Sequence, residues 1–470
     1  MVLKLLIYPL AMQAPPFGDE QQYYDGARAL SNYLRDLFAF QVPDTRELEA
    51  NVVASGWFMP GMSVLMTPLF LLVPDASEPV ARAYLGAANL VVLLWAVSSV
   101  RRHLGPGYAA LVLVFPALLP SWVLMSFTAY GDPVSGLVLV ALVAHVVGVL
   151  RTLRRGEAPG WREAVRLGVL AIAVLYLRSS TLPVLAAVGA VALLATVLLL
   201  RGALRWRALL QAGLAAAVFL VLLAPWSLAA SHVLGARVVT TTTVPVSLAQ
   251  TFGDEEQVCF GPCDPDSPTW FEPLRYSREV ARATGTSEVE VQEQMSDFAL
   301  RDLTRQDYAR RAWRNIAAYF GIPANFLRYI TPPEGRGPVG EVGERVAWVT
   351  TYLLYAPVAL AMLASMFSVQ RRSLEARLLD VVTKLCLGAL FVQPFVHIAG
   401  SRYWTTAGPL FVIAAASFLR ERQVRRREAP EPPERLAELD ARLDRWLAVV
   451  QRTLVGATVA VGVVLGLMAI

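Results

Sequence analysis

Charged residues are scarce in this chain of 470 residues: they make up 17% of it, while hydrophobic residues make up 56% and the mean hydropathy is +0.48. A soluble globular protein typically has about a quarter of its residues charged. The shortage of charge therefore excludes an ordinary soluble protein.

Cysteine is also rare, with three residues in the whole chain, and no internal repeat is recognisable. A metal site built on Cys259 or Cys263 would need further cysteine or histidine ligands nearby, and the neighbouring sequence supplies none. Cys386 stands alone in an apolar segment, where a cysteine serves as a small apolar side chain. The missing repeat argues against the many membrane carriers that are built from inverted repeats.

What the chain does contain is a series of apolar blocks, each about 18–24 residues long and able to cross about 30 Å of hydrocarbon as a helix. Because no water is available there, each block has to satisfy its own backbone by being helical. The sequence predicts an all-α polytopic membrane protein with about eleven transmembrane helices. Met1–Gln13 is counted as a shortened first span, although it also resembles a signal peptide with a poor cleavage site. The other spans are predicted near 79–100, 107–127, 131–150, 164–180, 182–200, 208–229, 346–368, 378–398, 403–420 and 447–470.

The basic residues indicate which side of the membrane is cytoplasmic. Five short connections on one side are arginine-rich, and the positive-inside rule assigns that side to the cytoplasm. They contain Arg101–Arg102, Arg151/Arg154/Arg155, Arg201/Arg205/Arg207, Arg371–Arg372 and Arg420–Arg427. The N-terminus is then inside, and the long loops 18–78 and 230–345 are outside. The net charge of +5 is explained by this topology, and we expect no nucleic-acid partner.

The outer loops have predicted structure of their own. In the first, 22–40 is predicted to be an interfacial helix and 57–73 a second interfacial or re-entrant helix. The segment 230–345 is predicted to be a small extracytoplasmic domain, with a β-prone Thr240–Thr243 run and helices over 286–330 that begin at a Ser287–Glu290 capping box. Within it, the Gly-Pro turn between Cys259 and Cys263 favours a disulfide in an oxidising compartment.

The chain is thereby divided into five parts: an N-terminal transmembrane module (1–229), the outer domain (230–345), a C-terminal transmembrane module (346–420), a cytoplasmic linker (421–446) and a last helix (447–470). Its richness in Ala, Arg, Leu and Val is typical of a GC-rich bacterium. We therefore expect a multi-pass protein of a bacterial cytoplasmic membrane, with its active site on the extracytoplasmic side.

An acidic pair, Asp19–Glu20, follows the first apolar segment on the outer side. Carboxylates are costly near hydrocarbon, so such a pair is a functional hypothesis by default. Asp19 is interpreted as a general base that accepts a proton from an incoming hydroxyl, with Glu20 as its catalytic neighbour. In a purely structural alternative Asp19 is an N-cap, and Gln22 completes a capping box.

The residues after this pair extend the candidate site along one helix. Helical spacing places Glu20, Tyr24 and Arg28 on one face, and Asp19 and Tyr23 on the adjacent one. Tyr23, Tyr24 and Arg28 are therefore candidates for substrate binding.

A second group of candidates lies at the outer ends of later spans. It comprises His397, Arg402 and Tyr403, followed by Trp404, together with Arg178 and Asp132. A fixed guanidinium at this depth suits the phosphate head group of a lipid, and aromatic side chains beside it suit a lipid stem. The structural alternatives are a snorkelling arginine at the interface and an Asp132 that only caps or turns the chain before Pro133.

Several of these motifs occur in an order that resembles the GT-C glycosyltransferases, in the branch of the protein O-mannosyltransferases and lipid A aminoarabinose transferases. The resemblance extends to about residue 420. It rests on Gly18-Asp19-Glu20-x2-Tyr23-Tyr24, Trp57–Leu72 with Met59-Pro60-Gly61, Leu177-Arg178, Pro225-Trp226, and Ser401-Arg402-Tyr403 ahead of Pro409. The chain departs from the pattern in its short first helix, in Met-Pro-Gly where Pro-Pro-Gly is usual, and in its modest outer domain.

The resemblance implies an enzyme that transfers a sugar, usually with inversion, from a polyprenyl-phosphate donor to an acceptor in the cell envelope. By that analogy Asp19 matches the position of the catalytic acidic residue, and Glu20 matches its supporting neighbour. Arg402 or Arg178 would hold the lipid phosphate. Some GT-C enzymes use a divalent metal, and here Asp19, Glu20 and Asp132 could supply oxygen ligands.

Two other classes of function compete with this interpretation. A polymerase or ligase of lipid-linked glycans would handle the same phosphate and hydroxyl groups, and His397 and Arg402 keep that alternative open. A transporter or flippase is less favoured, because few charges lie inside the predicted spans.

Overall fold

A computed structural model describes residues 2–12, 16, 18–254, 272–321, 338–370, 373–400, 402–423 and 437–469. Within these ranges every regular element is a helix. Seven helical segments are long and apolar enough to cross a membrane, which fits a polytopic membrane protein. They are Glu78–Leu104, Asp132–Arg154, Ser179–Leu199, Gly202–Leu234, Glu344–Met366, Leu374–Phe395 and Glu438–Met468.

The described α-helices are numbered in chain order. The N-terminal half contains α1 (Val2–Met12), α2 (Asp19–Phe38), α3 (Arg46–Leu48), α4 (Gly61–Leu72), α5 (Glu78–Leu104), α6 (Pro106–Val112), α7 (Val114–Leu118), α8 (Pro120–Met125), α9 (Asp132–Arg154), α10 (Trp161–Leu177), α11 (Leu182–Leu199) and α12 (Gly202–Leu234). The C-terminal half contains α13 (Thr243–Phe252), α14 (Glu272–Thr284), α15 (Glu288–Leu300), α16 (Arg305–Gly321), α17 (Pro338–Met366), α18 (Leu374–Leu390), α19 (Trp404–Gln423) and α20 (Ala437–Ala469).

The seven long helices coincide with seven of the predicted spans, but the segment 107–127 differs from its prediction. Instead of one span it forms α6, α7 and α8. Proline explains the division, because it has no N–H to donate and restricts the residue before it. Pro106 and Pro120 begin α6 and α8, and Pro116 lies within α7. The helices α10 and α19 cover two further predicted spans, and the count above seven stays a prediction.

The centre of the bundle is α9, which is buried along most of its length. It packs against α5, α10 and α19. Large aromatic side chains fill the core beside it: Trp122 and Trp404 are both fully buried, with ring centroids 5.9 Å apart. A central helix of this kind fixes the position of its first residue, Asp132, at one end of the bundle.

The first outer loop is helical, as predicted, and α2 packs along α4. The capping interpretation of Asp19 is wrong. Gly18 occupies the N-cap position, where its φ of +58° favours glycine, and no side chain caps the helix. Gln22 instead donates its amide to the carbonyl of Asn51. Asp19 is therefore available for another role.

Predictions for the second outer loop have mixed outcomes. Ser287 caps α15 by accepting a hydrogen bond of 3.1 Å from the backbone N–H of Glu290, so the predicted helix start is confirmed. The β-prone Thr240–Thr243 run is not a strand, because α13 begins at Thr243. Cys259 and Cys263 lie outside the described residues, as does the middle of the 421–446 linker (424–436), after which α20 begins at Ala437.

Glu20 fastens α2 to the bundle. Its buried carboxylate accepts hydrogen bonds of 2.5 and 3.0 Å from Arg82 and one of 2.7 Å from the backbone N–H of Ala129. Arg82, from α5, is equally buried. This pair links three segments, and it sets the position of the neighbouring Asp19.

We expect Glu20→Gln to lower the free energy of unfolding by about 3–5 kcal/mol, because it leaves the buried guanidinium of Arg82 without its counter-charge. Chemical or thermal unfolding of the purified protein in detergent measures the change. Glu47→Gln, at an exposed position, is the control and should change stability by less than about 1 kcal/mol. Equal stability of the two variants would contradict the anchoring role of Glu20.

Candidate active site

A cavity of about 710 Å³ lies where the ends of several helices meet. Its lining comes from the start of α2, the segment before α4, the turn after α10, the start of α13 and the connection between α18 and α19. The polar and aromatic lining residues include Asp19, Tyr23, Trp57, Phe58, Tyr130, Arg178, Ser179, Ser180, Thr240, Thr241, Thr243, Ser247, Gln393, His397, Arg402 and Tyr403. Six of the residues predicted from the sequence are thus brought together: Asp19, Tyr23, Arg178, His397, Arg402 and Tyr403.

Asp19 and Arg402 form an ion pair in this cavity, although 383 positions separate them in the chain. Both side chains are partly accessible, at 24% and 17% exposure. The Arg402 guanidinium also lies over the ring of Tyr130, 4.1 Å from its centroid. Burial alone would lower the pKa of Arg402, but the Asp19 carboxylate and Tyr403 beside it raise that pKa well above its usual value. Arg402 is therefore a permanent cation.

A second ion pair joins Arg178 to Asp132, with 2.9 Å between Nη1 and Oδ1. Asp132 is fully buried. Neither carboxylate oxygen of Asp132 has a hydrogen-bond partner among the described residues, so the contact is an ion pair. Asp132 lies behind Arg178, outside the cavity lining, and its charge holds Arg178 at the wall.

Tyr403 brings the two cations together. The guanidinium carbons of Arg178 and Arg402 lie 4.4 and 5.0 Å from the centroid of its ring. Two guanidinium groups on one aromatic ring place two positive charges, each with several N–H donors, in the same part of the cavity. Such a pair can bind a phosphate or another anion that carries several acceptor oxygens.

His397 lies at the same wall, two residues beyond the span that ends at Phe395. Its ring meets that of Tyr403 edge-on, with 5.8 Å between centroids, and its Nδ1 lies 2.9 Å from the carbonyl oxygen of Ile398. Burial lowers the pKa of His397 to about 4, the hydrogen bond to Ile398 opposes the shift, and the nearby Arg178 and Arg402 add to it. His397 is therefore neutral at pH 7 and donates through Nδ1.

This shift predicts a pH dependence of stability. Between pH 6.5 and 4 the unfolded chain binds a proton at His397 that the folded chain does not, so stability falls as the pH falls through that window. At pH 5 the loss attributable to His397 is about 2 kcal/mol. His397→Asn, which retains a donor near Ile398, should remove this part of the loss when unfolding is compared at pH 7 and pH 5. The same pH dependence in both proteins would contradict the assignment.

Another part of the cavity wall is aromatic and polar. Tyr23 and Phe58 meet edge-on at 5.5 Å, and Trp57 lies next to them. Burial, with the Asp19 charge as the next cause, raises the pKa of Tyr23, and burial raises that of Tyr130, so both phenols stay protonated donors. Trp57 Nε1 and Ser247 Oγ are buried and have no hydrogen-bond partner among the described residues. This wall therefore offers apolar faces together with unused donors.

Two glycines pack directly against the backbone that precedes Arg178, where a larger residue would not fit. A Cβ on Gly61 would lie 2.4 Å from the carbonyl of Tyr176, and one on Gly131 would lie 2.1 Å from the carbonyl oxygen of Leu177. Gly61 belongs to the Met-Pro-Gly element noted in the sequence. One function of this element is therefore to seat α4 against the end of α10 and thereby to position Arg178.

Gly61→Ala should accordingly destabilise the protein by about 1–3 kcal/mol, because the added methyl group meets backbone that cannot yield without moving Arg178. The free energy of unfolding and the affinity for phosphate are both measured, and both should be lower than in wild type. Gly189→Ala is the matched control in a helix, since nothing lies within 4 Å of its added Cβ. Wild-type behaviour of Gly61→Ala would contradict the close contact.

Besides Asp132, the structure leaves three predicted residues outside the cavity lining. Glu20 points to Arg82 on the other side of α2. Tyr24 is buried against Phe70, and the Arg28 guanidinium lies 5.2 Å from the centroid of the same Phe70 ring. Helical spacing correctly predicted that these residues lie on a different face of α2 from Asp19 and Tyr23. It could not predict which of the two faces lines the cavity.

The three carboxylates proposed as metal ligands do not form a cation site. Asp19, Glu20 and Asp132 are each paired with a different arginine, so each charge is already compensated. They are not among the described clusters of three metal-ligand side chains either.

Tyr130 and Ser247 line the cavity but were not predicted from the sequence as site residues. Tyr130 stands two positions before Asp132 in a short connection, and this proximity is the one sequence feature that could have indicated it. Ser247 belongs to α13 in the outer domain, and its place at the cavity follows only from tertiary packing.

Comparison of the chain with protein-family models, with curated protein sequences and with solved structures gives no match. A function is therefore inferred from the residues and from the geometry of the cavity.

Proposed function

We propose that this chain is an integral-membrane glycosyltransferase with a GT-C-like fold, about eleven transmembrane helices and a cytoplasmic N-terminus. It takes a sugar from a polyprenyl-phosphate donor and transfers it, with inversion, to an acceptor in the envelope, on the outer side of a bacterial cytoplasmic membrane. The observation that supports this proposal best is the Asp19–Arg402 ion pair, which lines a cavity shared with Arg178. A base and two phosphate-binding cations are the groups that this reaction requires.

The ion pair suggests how the reaction begins. While Arg402 holds Asp19, the ion pair occupies the carboxylate. When the donor phosphate binds Arg402, it takes the place of Asp19 as the counter-charge. Asp19 is then released to accept a proton from the acceptor hydroxyl. Binding of the donor thus activates the base.

Bond formation and cleavage follow from this arrangement. The acceptor oxygen forms a bond to the anomeric carbon, and its proton goes to Asp19. The bond from that carbon to the phosphate oxygen breaks, and the electron pair stays on the phosphate. Arg402 and Arg178 stabilise the negative charge that grows on this leaving group.

The lining also accounts for the two ends of the donor. Leu182, Val392 and Val396 give the cavity an apolar side, which suits the first units of a polyprenyl chain. Across from it, Tyr23, Trp57 and Phe58 offer aromatic faces for the apolar face of a sugar ring. The unused donors of Trp57 and Ser247 can bind sugar hydroxyls.

A polymerase or ligase of lipid-linked glycans is the second candidate function. It is favoured by one observation: neutral His397 lies at the same wall as Arg178 and Arg402, where it could act as the base in place of Asp19. A transporter is less supported, because the buried intramembrane pair Lys384–Asp380 is closed at 2.8 Å within one helix and offers no path.

The test is mass spectrometry of envelope glycans from a deletion strain, complemented with wild type, Asp19→Asn or His397→Asn at equal expression. The proposal expects a sugar-sized mass to disappear on deletion and to return with wild type and with His397→Asn. Return with Asp19→Asn but not with His397→Asn would favour the polymerase or ligase. No change on deletion would refute a transferase.

A further inference from the structure

A group of potential metal ligands lies far from the cavity, at the other end of the bundle. It consists of His103 at the end of α5, His145 in α9 and Glu163 at the start of α10. Their ligand atoms all lie within 4.8 Å of one another, and among the described residues this is the group of three that meets that condition. His145 is thirteen residues after Asp132 on the same helix, which places it roughly 20 Å away along the axis.

We propose that His103, His145 and Glu163 bind a divalent transition metal ion of the zinc class. Two imidazoles and one carboxylate match the preference of such ions for nitrogen and oxygen ligands, with a further position left for water. Magnesium and calcium are disfavoured, because they prefer ligand sets made of oxygen. This site is independent of the transferase proposal.

The distances fit a site that needs little rearrangement. His145 Nδ1 lies 2.6 Å from Glu163 Oε1, and the rings of His103 and His145 are 4.4 Å apart. Ligand atoms around a tetrahedral zinc ion are roughly 3.3 Å apart. Side-chain rotations that move atoms by about 1–2 Å would therefore admit the ion, which would replace the proton shared by His145 and Glu163.

Two observations favour a ligand over a simple hydrogen bond between helices. His103 Nε2 is buried and has no hydrogen-bond partner among the described residues, which is unusual for an imidazole nitrogen. The backbone also leaves room for this ring: a Cβ on Gly148 would lie 2.3 Å from His103 Nδ1. An imidazole with an unused nitrogen is thus seated beside two other ligand groups.

The neighbouring cations are mostly occupied elsewhere. Arg151 donates to the carbonyl of His103, and its charge is paired with Glu375 at 3.0 Å. Arg166 is the one that competes with a metal, because its Nη1 lies 2.9 Å from Glu163 Oε2. Its side chain is half-exposed, so it can be replaced without disturbing the core.

The test uses the purified full-length protein, freed of metal, and zinc ion as the probe. We expect wild type and His232→Gln to bind one equivalent of zinc, while His145→Gln and Glu163→Gln bind it at least about tenfold more weakly. His232 is exposed in α12, and it controls for loss of a histidine as such. Zinc should also raise the unfolding temperature of wild type.

A gain-of-affinity variant separates ligation from misfolding. Arg166→Gln removes the competing cation, so we expect it to bind zinc more tightly than wild type, which no misfolded variant would do. The proposal is overturned if wild type takes up no zinc, or if His145→Gln and Glu163→Gln bind it as tightly as wild type does.

Discussion

Asp19→Asn is expected to lower the rate of sugar transfer by about 10²–10⁴-fold, which is the usual contribution of a general base. The amide is nearly the same size as the carboxylate and can still accept a hydrogen bond from Arg402, so the fold should be preserved. Transfer is followed in membrane vesicles from the deletion strain by mass spectrometry of the glycosylated acceptor.

Asp25→Asn is the matched control for this variant. Asp25 lies on the same helix, is partly exposed, and accepts hydrogen bonds of 3.0 and 3.1 Å from Gln21, outside the cavity lining. We expect transfer close to that of wild type. Equal rates for Asp19→Asn and wild type would show that Asp19 does not act as the base.

Arg402→Gln is expected to have the second-largest effect, a loss of about 10²–10³-fold in transfer, because the charge developing on the leaving phosphate loses a fixed partner. Arg402→Lys should recover only part of the activity, since an ammonium group cannot make the two parallel hydrogen bonds of a guanidinium. Binding of polyprenyl phosphate to the purified protein should weaken in the same order.

Arg28→Gln is the control for Arg402→Gln, and it also tests where the structure places the site. The sequence predicted that Arg28 binds substrate, whereas the structure places it against Phe70, outside the cavity lining and about half exposed. We expect little effect on transfer. A loss as large as that of Arg402→Gln would mean that the cavity is not the site.

Much of this arrangement could be predicted from the sequence. Apolar block length is a local property, and it located the seven helices that are long enough to cross a membrane. The cost of charge near hydrocarbon singled out Asp19, Arg178 and Arg402, all of which line the cavity. The prolines that divide 107–127 are also present in the sequence. The single span was predicted from hydropathy, which does not register that proline interrupts a helix.

What could not be predicted depends on contacts between distant parts of the chain. Helical spacing divides α2 into faces, but the burial of Glu20 depends on Arg82, which comes from α5. The pairing of Asp19 with Arg402 and of Asp132 with Arg178 joins residues far apart in sequence. No local pattern determines such pairs, so the proposed exchange of Asp19 for a donor phosphate at Arg402 rests on contacts that only the structure supplies.

The most direct measurement is native mass spectrometry of Asp19→Asn and of Asp19→Asn/Arg402→Gln, each purified from the membrane of its own host. Asp19→Asn should retain the donor because it binds but does not transfer, so we expect a bound species with the mass of a polyprenyl phosphate carrying one sugar. The double variant should have lost that species. If Asp19→Asn carries only bulk membrane phospholipid, or if both variants hold the same lipid, the cavity does not bind a polyprenyl-phosphate sugar through Arg402.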